Sequence, residues 1–456
     1  MYSFEVSNLK TNCNPMFDVN VKILSELKNF ITIVSSNREL LSKFCSSDKD
    51  FSRSGKLPFD KLALFIIKLC KKTLSVELER YLEELNNSIP CSVSAYTQQR
   101  CKLHSSFFYW WNAVLCRSYY FYKGNQVKRW HQYRIIAADG SNINLINTTV
   151  LSKYFGGQSN QNSSYTLAKT FYHYDVLNEL ILVPQIKPYR YGEMQMAYDA
   201  IDNIEEDMLI IYDRNFCNYK MVALHLWQEK ERKFIIRAKE TQRIIRSFIE
   251  SGKLSAIAYL PPTPSATKGL KKVGYVINQH TQLKVRLVRV DLEKNTEVLM
   301  TNLWEEEGHQ PEIFKDLYFM RWGVETNISI QKNIMQIESF SGLTVNAVLQ
   351  DFYATVMIAN LHAVLIKDAQ KTIDKEDAKR KYPMKVNKNK SFGKLKNRIV
   401  ALFLETANVE IILQKLHDYF TQNILPERKG RTFERVRKNG PSKGKFKTYT
   451  NFKPAF

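Results

Sequence analysis

The chain has 456 residues, of which 44% are hydrophobic and 12% aromatic. It can therefore bury a large core, most simply in about two to four domains, and the composition excludes a disordered protein. The formal net charge of +22 and the pI near 9.5 favour a polyanionic partner, most simply nucleic acid, although a merely basic cytosolic protein would show the same balance.

Cysteine and histidine usage further limits the classes of protein to which the chain could belong. The seven cysteines are odd in number and include no Cys-x-x-Cys pair, which argues against a disulfide framework and against a zinc site. The eight histidines are scattered and form no ligand pair. No stretch approaches the roughly 20 apolar residues needed to span a bilayer. We therefore expect a cytoplasmic protein that does not contact a membrane.

Helical periodicity extends from Val19 to about Tyr122, within a predicted domain of residues 1–125. Apolar residues recur at helical spacing in Phe59–Leu69 and Leu74–Leu82, and polar turns separate the segments. This pattern predicts a helical N-terminal domain. Short helices joined by polar turns are typical of helix-turn-helix DNA-binding domains, so we expect this domain to bind DNA, although many other helical domains share the pattern.

An α/β region follows over residues 126–238. At Tyr133 the apolar spacing changes from about 3.6 to about 2 residues, which indicates strands. The first four predicted strands suggest an antiparallel meander, and the elements after them alternate as in a βαβ unit. The predicted order is strands Tyr133–Asp139, Ile143–Leu145, Tyr165–Tyr174 and Leu180–Val183, helix Glu193–Ile204, strand Met208–Tyr212, helix Tyr219–Glu229 and strand Phe234–Ile236.

A second β segment interrupts the α/β region over residues 239–309. Its predicted strands are Val273–Ile277, Leu283–Val290 and Val298–Leu303. The α/β region resumes over residues 310–370 with two predicted helices, Glu312–Met335 and Leu343–Ala369. Residues 371–456 form a basic C-terminal region with two cationic runs, Lys379–Arg398 and Arg428–Lys453. Both runs could hold DNA phosphates without reading the base sequence.

Two acidic residues lie at the C-terminal ends of predicted apolar strands. Asp139 precedes Gly140, and because Asp-Gly is also a hairpin-turn signal, this acid alone has two explanations. Asp213 follows the buried run Met208–Tyr212. A carboxylate at the C-terminal end of such a strand points into the crevice where α/β sheets bind ligands. Asp213 is therefore the stronger candidate of the two.

A third acid lies in a group of four polar residues at offsets 0, 3, 7 and 14, namely Tyr318, Arg321, Glu325 and Lys332. On a single helix these offsets fall at about 0°, 300°, 340° and 320°, so the four groups would share one stripe. The stripe lies beside the apolar face, which is typical of a cleft. The alternative is a solvated face with an Arg321–Glu325 pair.

Three carboxylates from two strand ends and a helix can hold a pair of hard divalent cations. In phosphoryl transfer such ions make a protein nucleophile unnecessary. The candidate acids are Asp139, Asp213 and Glu325.

At this point the sequence resembles the DDE transposases of bacterial insertion sequences, in particular the insertion-sequence-4 family with its Tyr-x2-Arg-x3-Glu-x6-Lys signature. The four polar residues match the signature at every spacing, and both earlier acids lie in matching motifs, Asp139-Gly140-Ser141 and Asp213-Arg214-Asn215-Phe216. The resemblance covers most of the chain, including the β insertion. Asn215 departs from the Gly of many relatives, but Asn also tolerates a left-handed turn.

The resemblance implies an α/β fold class with an RNase H-like mixed-sheet catalytic core that a β-rich insertion interrupts. It also implies that Asp139, Asp213 and Glu325 are catalytic and hold two Mg²⁺ ions, for which Mn²⁺ would substitute. The implied activity is cut-and-paste transposition through a DNA hairpin. The implied partners are double-stranded DNA, both terminal inverted repeats and target, and a second copy of the chain in the DNA complex.

The same resemblance assigns phosphate binding to Tyr318, Arg321 and Lys332, which suits a hydroxyl donor, a bidentate clamp and a point charge. Arg237 and Lys239, just past a core strand, are further candidates for backbone contacts, or ordinary surface charges. Two other functions remain open: a different RNase H-like nuclease, and a transposase-derived DNA-binding protein without catalysis.

Overall fold

The computed structural model describes residues 16–53, 55–86, 90–161, 163–292, 295–377, 380–404 and 408–428. The chain divides into two compact units. One unit comprises Gln126–Val345, and the other combines Met1–Asn125 with Asn346–Phe456. Residues 346–370, which the sequence assigns to the second part of the α/β region, therefore belong to the same unit as the N-terminal helices. The second cationic run lies outside the described residues, except for Arg428.

The unit Gln126–Val345 contains one nine-stranded mixed sheet. Its strands are β1 (Arg134–Asn144), β2 (Gly157–Asn160), β3 (Ser163–Asp175), β4 (Leu180–Pro188), β5 (Met208–Tyr212), β6 (Lys233–Arg237), β7 (Ser255–Leu260), β8 (Leu283–Asp291) and β9 (Thr296–Thr301). Their spatial order is β4-β3-β1-β5-β6-β9-β8-β7, and β2 pairs with the beginning of β3.

The first five strands in that order form the predicted RNase H-like core. β1, β5 and β6 are parallel, whereas β3 is antiparallel to both β1 and β4. β5 is buried along its whole length, as expected for a central parallel strand that is covered on both faces. The predicted mixed-sheet α/β class is confirmed, and Met208–Tyr212 has the predicted bounds.

The β-rich insertion extends the same sheet. β9 pairs antiparallel with β6, β8 with β9, and β7 with β8. The predicted strand Val273–Ile277 is wrong. Its alternation suggests a buried face, but Val276 is 97% exposed and Gly274 turns the chain with a φ of 90°. Within the part of the chain that the structure describes, no strand pairs with this segment, and β preference is expressed only on a pleated, half-buried surface.

Helices cover both faces of this sheet. Alternate residues of the central strands point to opposite faces, so that Ile136 and Ile210 enter one apolar cluster while Ile135 and Ile211 enter another. Helix α12 packs in the second cluster through Phe314. The helices of this unit are α7 (Thr149–Phe155), α8 (Glu193–Asp199), α9 (Tyr219–Leu226), α10 (Arg243–Glu250), α11 (Pro264–Lys271), α12 (Phe314–Phe319) and α13 (Trp322–Asn333).

The other unit is mainly helical. Its helices are α1 (Asp18–Ser36), α2 (Arg38–Ser42), α3 (Phe59–Lys68), α4 (Leu74–Glu84), α5 (Val93–Lys102), α6 (Ser106–Lys123), α14 (Val345–Glu376), α15 (Lys388–Lys396), α16 (Ile399–Leu404) and α17 (Val409–Gln422). Two short strands, β10 (Met384–Val386) and β11 (Ile424–Pro426), pair antiparallel. Short 3-10 turns in the chain occupy Gly124–Gln126, Ile201–Asn203, Arg214–Phe216, Glu305–Glu307 and Pro311–Ile313.

Helix α14 forms the centre of the helical unit. It is long and apolar enough to cross a membrane, contrary to our expectation that no such stretch exists, but 89% of its most apolar window is buried inside the protein. The core helix of a soluble protein has these properties.

Within the core of the helical unit, Asp351 of α14 is fully buried and lies 2.8 Å from the Arg100 guanidinium and 3.4 Å from the Lys71 ammonium. The buried acid of α14 thus contacts two buried cations of the N-terminal helical segment, Arg100 and Lys71.

Candidate active site

Adjacent parallel strands bring the first two candidate acids to the same end of the sheet. The parallel pairing of β1 and β5 runs from Arg134 opposite Met208 to Ala138 opposite Tyr212. Asp139 and Asp213 are the next residues on the two strands. Neighbouring strands lie about 4.8 Å apart, so the two acids occupy adjacent backbone positions.

Asp139 does not form the Asp-Gly hairpin turn that the sequence left open. β1 continues without interruption through Gly140 to Asn144, and Gly140 lies opposite Phe171 on β3. The Oδ1 atom of Asp139 accepts a hydrogen bond of 2.8 Å from the backbone N–H of Gly140. Asp139 is therefore the first residue of β1 beyond its pairing with β5. From Asp139 to Asn144, β1 pairs with β3 only.

The predicted single helix through the four signature residues is wrong. Helix α12 ends at Phe319 and helix α13 begins at Trp322, with a turn at Met320 and Arg321 between them. Tyr318 therefore lies on the first helix, whereas Glu325 lies in the first turn of the second. The close approach of α13 to the turn after β3 explains Gly323, because a Cβ there would lie 2.7 Å from the Val176 side chain.

Arg321 links two of the three candidate acids. Its Nη1 atom lies 2.7 Å from Glu325 Oε1 and 3.9 Å from Asp139 Oδ2, and only 6% of its side chain is exposed. Burial acts to lower the pKa of Arg321, but the hydrogen bond to Glu325 and the charges of neighbouring groups, including Asp213, raise it overall. One guanidinium thus compensates part of the negative charge of the three acids.

That compensation is incomplete at Asp139. Burial raises the pKa of its carboxyl from the ordinary value of 3.8 to about 6. The Gly140 N–H and Arg321 oppose this rise, whereas the negative charges of Glu325 and Glu193 add to it. A mostly buried carboxylate with excess negative charge around it is a site that favours an added cation.

Tyr318 and Lys332 lie at different distances from this group. The Tyr318 hydroxyl is buried and, among the described residues, has no hydrogen-bond partner. Burial raises the pKa of Tyr318, and Arg321 and Asp213 are among the charges that act on it. Lys332 instead donates a hydrogen bond of 2.6 Å from Nζ to the backbone carbonyl of Asn142, beyond Asp139 on β1.

Arg237 is the last residue of β6, and Lys239 follows two residues later. Arg237 pairs with Glu297 at 2.6 Å, and Lys239 is half-buried. The charge of Lys239 and its backbone hydrogen bond act to lower the pKa of the Cys217 thiol, although burial raises it overall. Lys239 therefore lies beside the segment that follows Asp213. The role of both residues in DNA binding stays a prediction.

The sequence did not single out Glu193 or Lys169. Lys169 on β3 lies 2.9 Å from the Glu193 carboxylate at the beginning of α8, and Glu193 reaches the backbone of Gly140. The only local signal is an acid in the first turn of a helix after a strand, which is common because of the helix dipole.

The donor chemistry of the three acids fits a hard divalent cation, since all the ligand atoms would be carboxylate oxygens. In the part of the chain that the structure describes, no group of three or more His, Cys, Asp and Glu side chains is arranged to hold a metal ion. Glu325 instead contacts Arg321 at 2.7 Å. Glu325 would have to exchange its guanidinium partner for the cation.

A family model described as Transposase DDE domain matches residues 130–361, just over half of the chain. The cryo-EM structure of the piggyBac transposase synaptic complex with hairpin DNA is similar over 95% of this chain and 90% of that chain, with 10% sequence identity and a TM-score of 0.41. No curated protein gives a significant match to the sequence.

Proposed function

Because the chain belongs to the Transposase DDE domain family, we propose that it is a DNA transposase that nicks the ends of a mobile element and joins them to target DNA. The match spans Asp139, Asp213 and Glu325, to which we assign catalysis and metal binding. The observation that carries this assignment is the position of Asp139 and Asp213, each directly after the last paired residue of adjacent parallel strands, with Arg321 between Asp139 and Glu325.

The cations would be two Mg²⁺ ions, and Mn²⁺ would substitute. When bound, such ions activate the attacking water or 3′-hydroxyl and stabilise the leaving oxygen. The chain's own residues supply the rest: Asp139 and Asp213 offer oxygen ligands from fixed strand positions, and Glu325 does so once it leaves Arg321.

Arg321 then becomes available to hold a DNA phosphate, for which its planar guanidinium is suited. We assign Tyr318 the role of a hydroxyl donor to the same backbone, because its buried hydroxyl is without a partner among the described residues. Lys332 would add a point charge further along β1. Arg237 and Lys239 complete the proposed DNA-binding set, provided that Arg237 exchanges Glu297 for phosphate.

The finer assignments follow from the signature that these residues carry. We place the chain in the insertion-sequence-4 family and assign it cut-and-paste transposition through a hairpin. The substrate would be the terminal inverted repeats of its own element, and the active form a dimer on that DNA. The proposed location is the bacterial cytoplasm, on the nucleoid. Residues 1–125 and the basic residues 371–456 would bind DNA outside the catalytic core.

Cleavage of a defined DNA end tests this function against its rivals. The proposed function predicts inverted repeats in the genomic DNA that flanks the reading frame, and these would provide the substrate. With Mg²⁺ the protein should cut DNA that ends in this repeat and leave a scrambled end intact, whereas Glu325→Gln should bind the repeat without cutting it. Equal cutting of both DNAs would indicate another nuclease. Tight binding without cutting by the wild-type protein would indicate a DNA-binding protein without catalysis.

A further inference from the structure

Glu193 places its carboxyl group over the backbone of β1 next to Asp139. A Cβ on Gly140 would lie 2.8 Å from Glu193 Cγ and 2.9 Å from its Cδ, and 3.1 Å from the Thr170 carbonyl oxygen. Distances under 3 Å are not sustained by real side chains, so a larger residue at position 140 would push Glu193 away. Glycine at this position therefore allows the Glu193 carboxyl to approach the β1 backbone directly after Asp139.

Lys169 fixes Glu193 in this place. Its Nζ lies 2.9 Å from Glu193 Oε1, and the two side chains are only 17% and 31% exposed. Lys169 belongs to β3, opposite Asn142 of β1, so the lysine is itself held by the sheet. Because the Lys169–Glu193 pair is mostly shielded from solvent and Lys169 belongs to a strand, the pair restrains Glu193 more than an exposed pair would.

The candidate site thus contains two internal ion pairs of the same kind. Arg321 pairs with Glu325, and Lys169 pairs with Glu193. The two glutamates act on Asp139 in the same direction, because the negative charge of each makes the ionised form of Asp139 less favourable. Glu193 is therefore part of the electrostatic surroundings of the predicted metal ligands, although it belongs to no recognised motif of the sequence.

We propose that Glu193 is a positioning residue of the candidate site, and that its negative charge, held over Gly140 by Lys169, strengthens the binding of divalent cations at Asp139, Asp213 and Glu325. This inference rests on the proposed function. A carboxylate near a cation favours binding whether or not it contacts the ion, since the Coulomb attraction in a sheltered site falls slowly with distance. Glu193 would also hold the Asp139–Gly140 backbone in place.

Two substitutions separate the charge of Glu193 from its packing. Glu193→Gln keeps the shape of the side chain and an oxygen that can accept from Lys169, but it removes the charge. Glu193→Asp keeps the charge and shortens the side chain. A role in packing alone predicts that Gln is tolerated and Asp is not. The charge role predicts the reverse.

The measurement is the dissociation constant of Mn²⁺ for the full-length protein, from the EPR signal of free Mn²⁺ at pH 7.5 without DNA. Glu193→Gln should raise this constant about three- to thirtyfold, whereas Glu193→Asp should stay within about threefold of the wild type. Glu250→Gln, which removes one charge from an exposed position at the end of α10 in the same unit, should change it less than about twofold. An unchanged constant in Glu193→Gln overturns the inference.

Asp139→Asn, measured in the same way, distinguishes the inference from the function on which it rests. Loss of Mn²⁺ binding in Asp139→Asn with no effect of Glu193→Gln would refute the role of Glu193 alone. No effect of either substitution would refute the metal site itself. Melting temperatures in EDTA within about 2 °C of the wild type for Glu193→Gln would show that any change in affinity does not come from unfolding.

Discussion

The Arg321 guanidinium donates to the Glu325 carboxylate across 2.7 Å. Without metal, this contact satisfies a glutamate that the proposed function assigns to cation binding, and only 6% of the arginine side chain is exposed. Binding of metal and DNA would separate the pair. Glu325 would then bind the cation, and Arg321 would bind a phosphate. Under the proposed function, the two partners would thus exchange one internal contact for two external ones.

The first prediction concerns stability with and without metal. Arg321→Ala leaves Glu325 and Asp139 without their shared cation, so we expect the metal-free protein to lose about 1–3 kcal/mol of unfolding free energy. Saturating Mg²⁺ should reduce the loss, because the ions replace the missing charge. Urea unfolding in EDTA and in Mg²⁺ measures this. Arg246→Ala, exposed on α10, is the control, and an equal loss in both buffers would contradict the exchange.

The same arginine separates the steps of DNA cleavage. Arg321→Ala should still nick DNA ends, because the three acids remain, but it should fail to convert the nicked end into a hairpin, which requires the phosphate to be held. Denaturing gel electrophoresis of end-labelled DNA resolves the two products. Equal loss of nicked and hairpin DNA would count against this role.

A third prediction follows from the pKa of Asp139. Burial raises it to about 6, so the folded state binds the proton more tightly than the unfolded state does. The resulting stabilisation is complete below pH 3.8 and is lost as the pH rises to about 6. In EDTA, Asp139→Asn should therefore stabilise the protein at pH 7.5 by on the order of 1–2 kcal/mol, and by much less at pH 4.5. Urea unfolding at both pH values tests this. If Asp139→Asn raises the free energy of unfolding equally at both pH values, the ionised form of Asp139 does not destabilise the folded protein.

In the helical unit, Asp351 should be among the most sensitive positions. Asp351→Ala would leave Arg100 and Lys71 buried without their carboxylate, and we expect a loss of about 3–5 kcal/mol of unfolding free energy. Asp374→Ala, at an exposed position of the same helix, should cost less than about 1 kcal/mol. Chemical unfolding of both variants provides the comparison. A loss below 1 kcal/mol for Asp351→Ala would contradict the role of the buried cluster.

The sequence predicted the central strands well because burial there is unambiguous. Met208–Tyr212 is a continuous apolar run, and the structure gives it the same bounds. Val273–Ile277 shows an equally regular pattern but does not form a strand. A strand needs a neighbouring strand with which to pair, and local periodicity does not reveal whether one is present. The same limit explains the continuation of β1 beyond Asp139, which depends on pairing with β3.

The candidate site was predictable only in part. Spacing identified the four signature residues, but it could not reveal the turn at Arg321, because residues on either side of a short break keep helical spacing. The Lys169–Glu193 pair was not found, since the approach of α8 to Gly140 depends on how the helix packs on the sheet. DNA binding by residues 1–125 stays a prediction.

The most direct test of the central claim is single-turnover cleavage of inverted-repeat DNA by Asp139→Asn, Asp213→Asn and Glu325→Gln, with DNA affinity measured in parallel. If the three carboxylates act as one site, each variant should cut at least about a thousandfold more slowly than the wild type while binding DNA within about threefold of it. Cleavage by any one variant within about tenfold of the wild-type rate would contradict the claim, because that carboxylate would then not belong to the catalytic site.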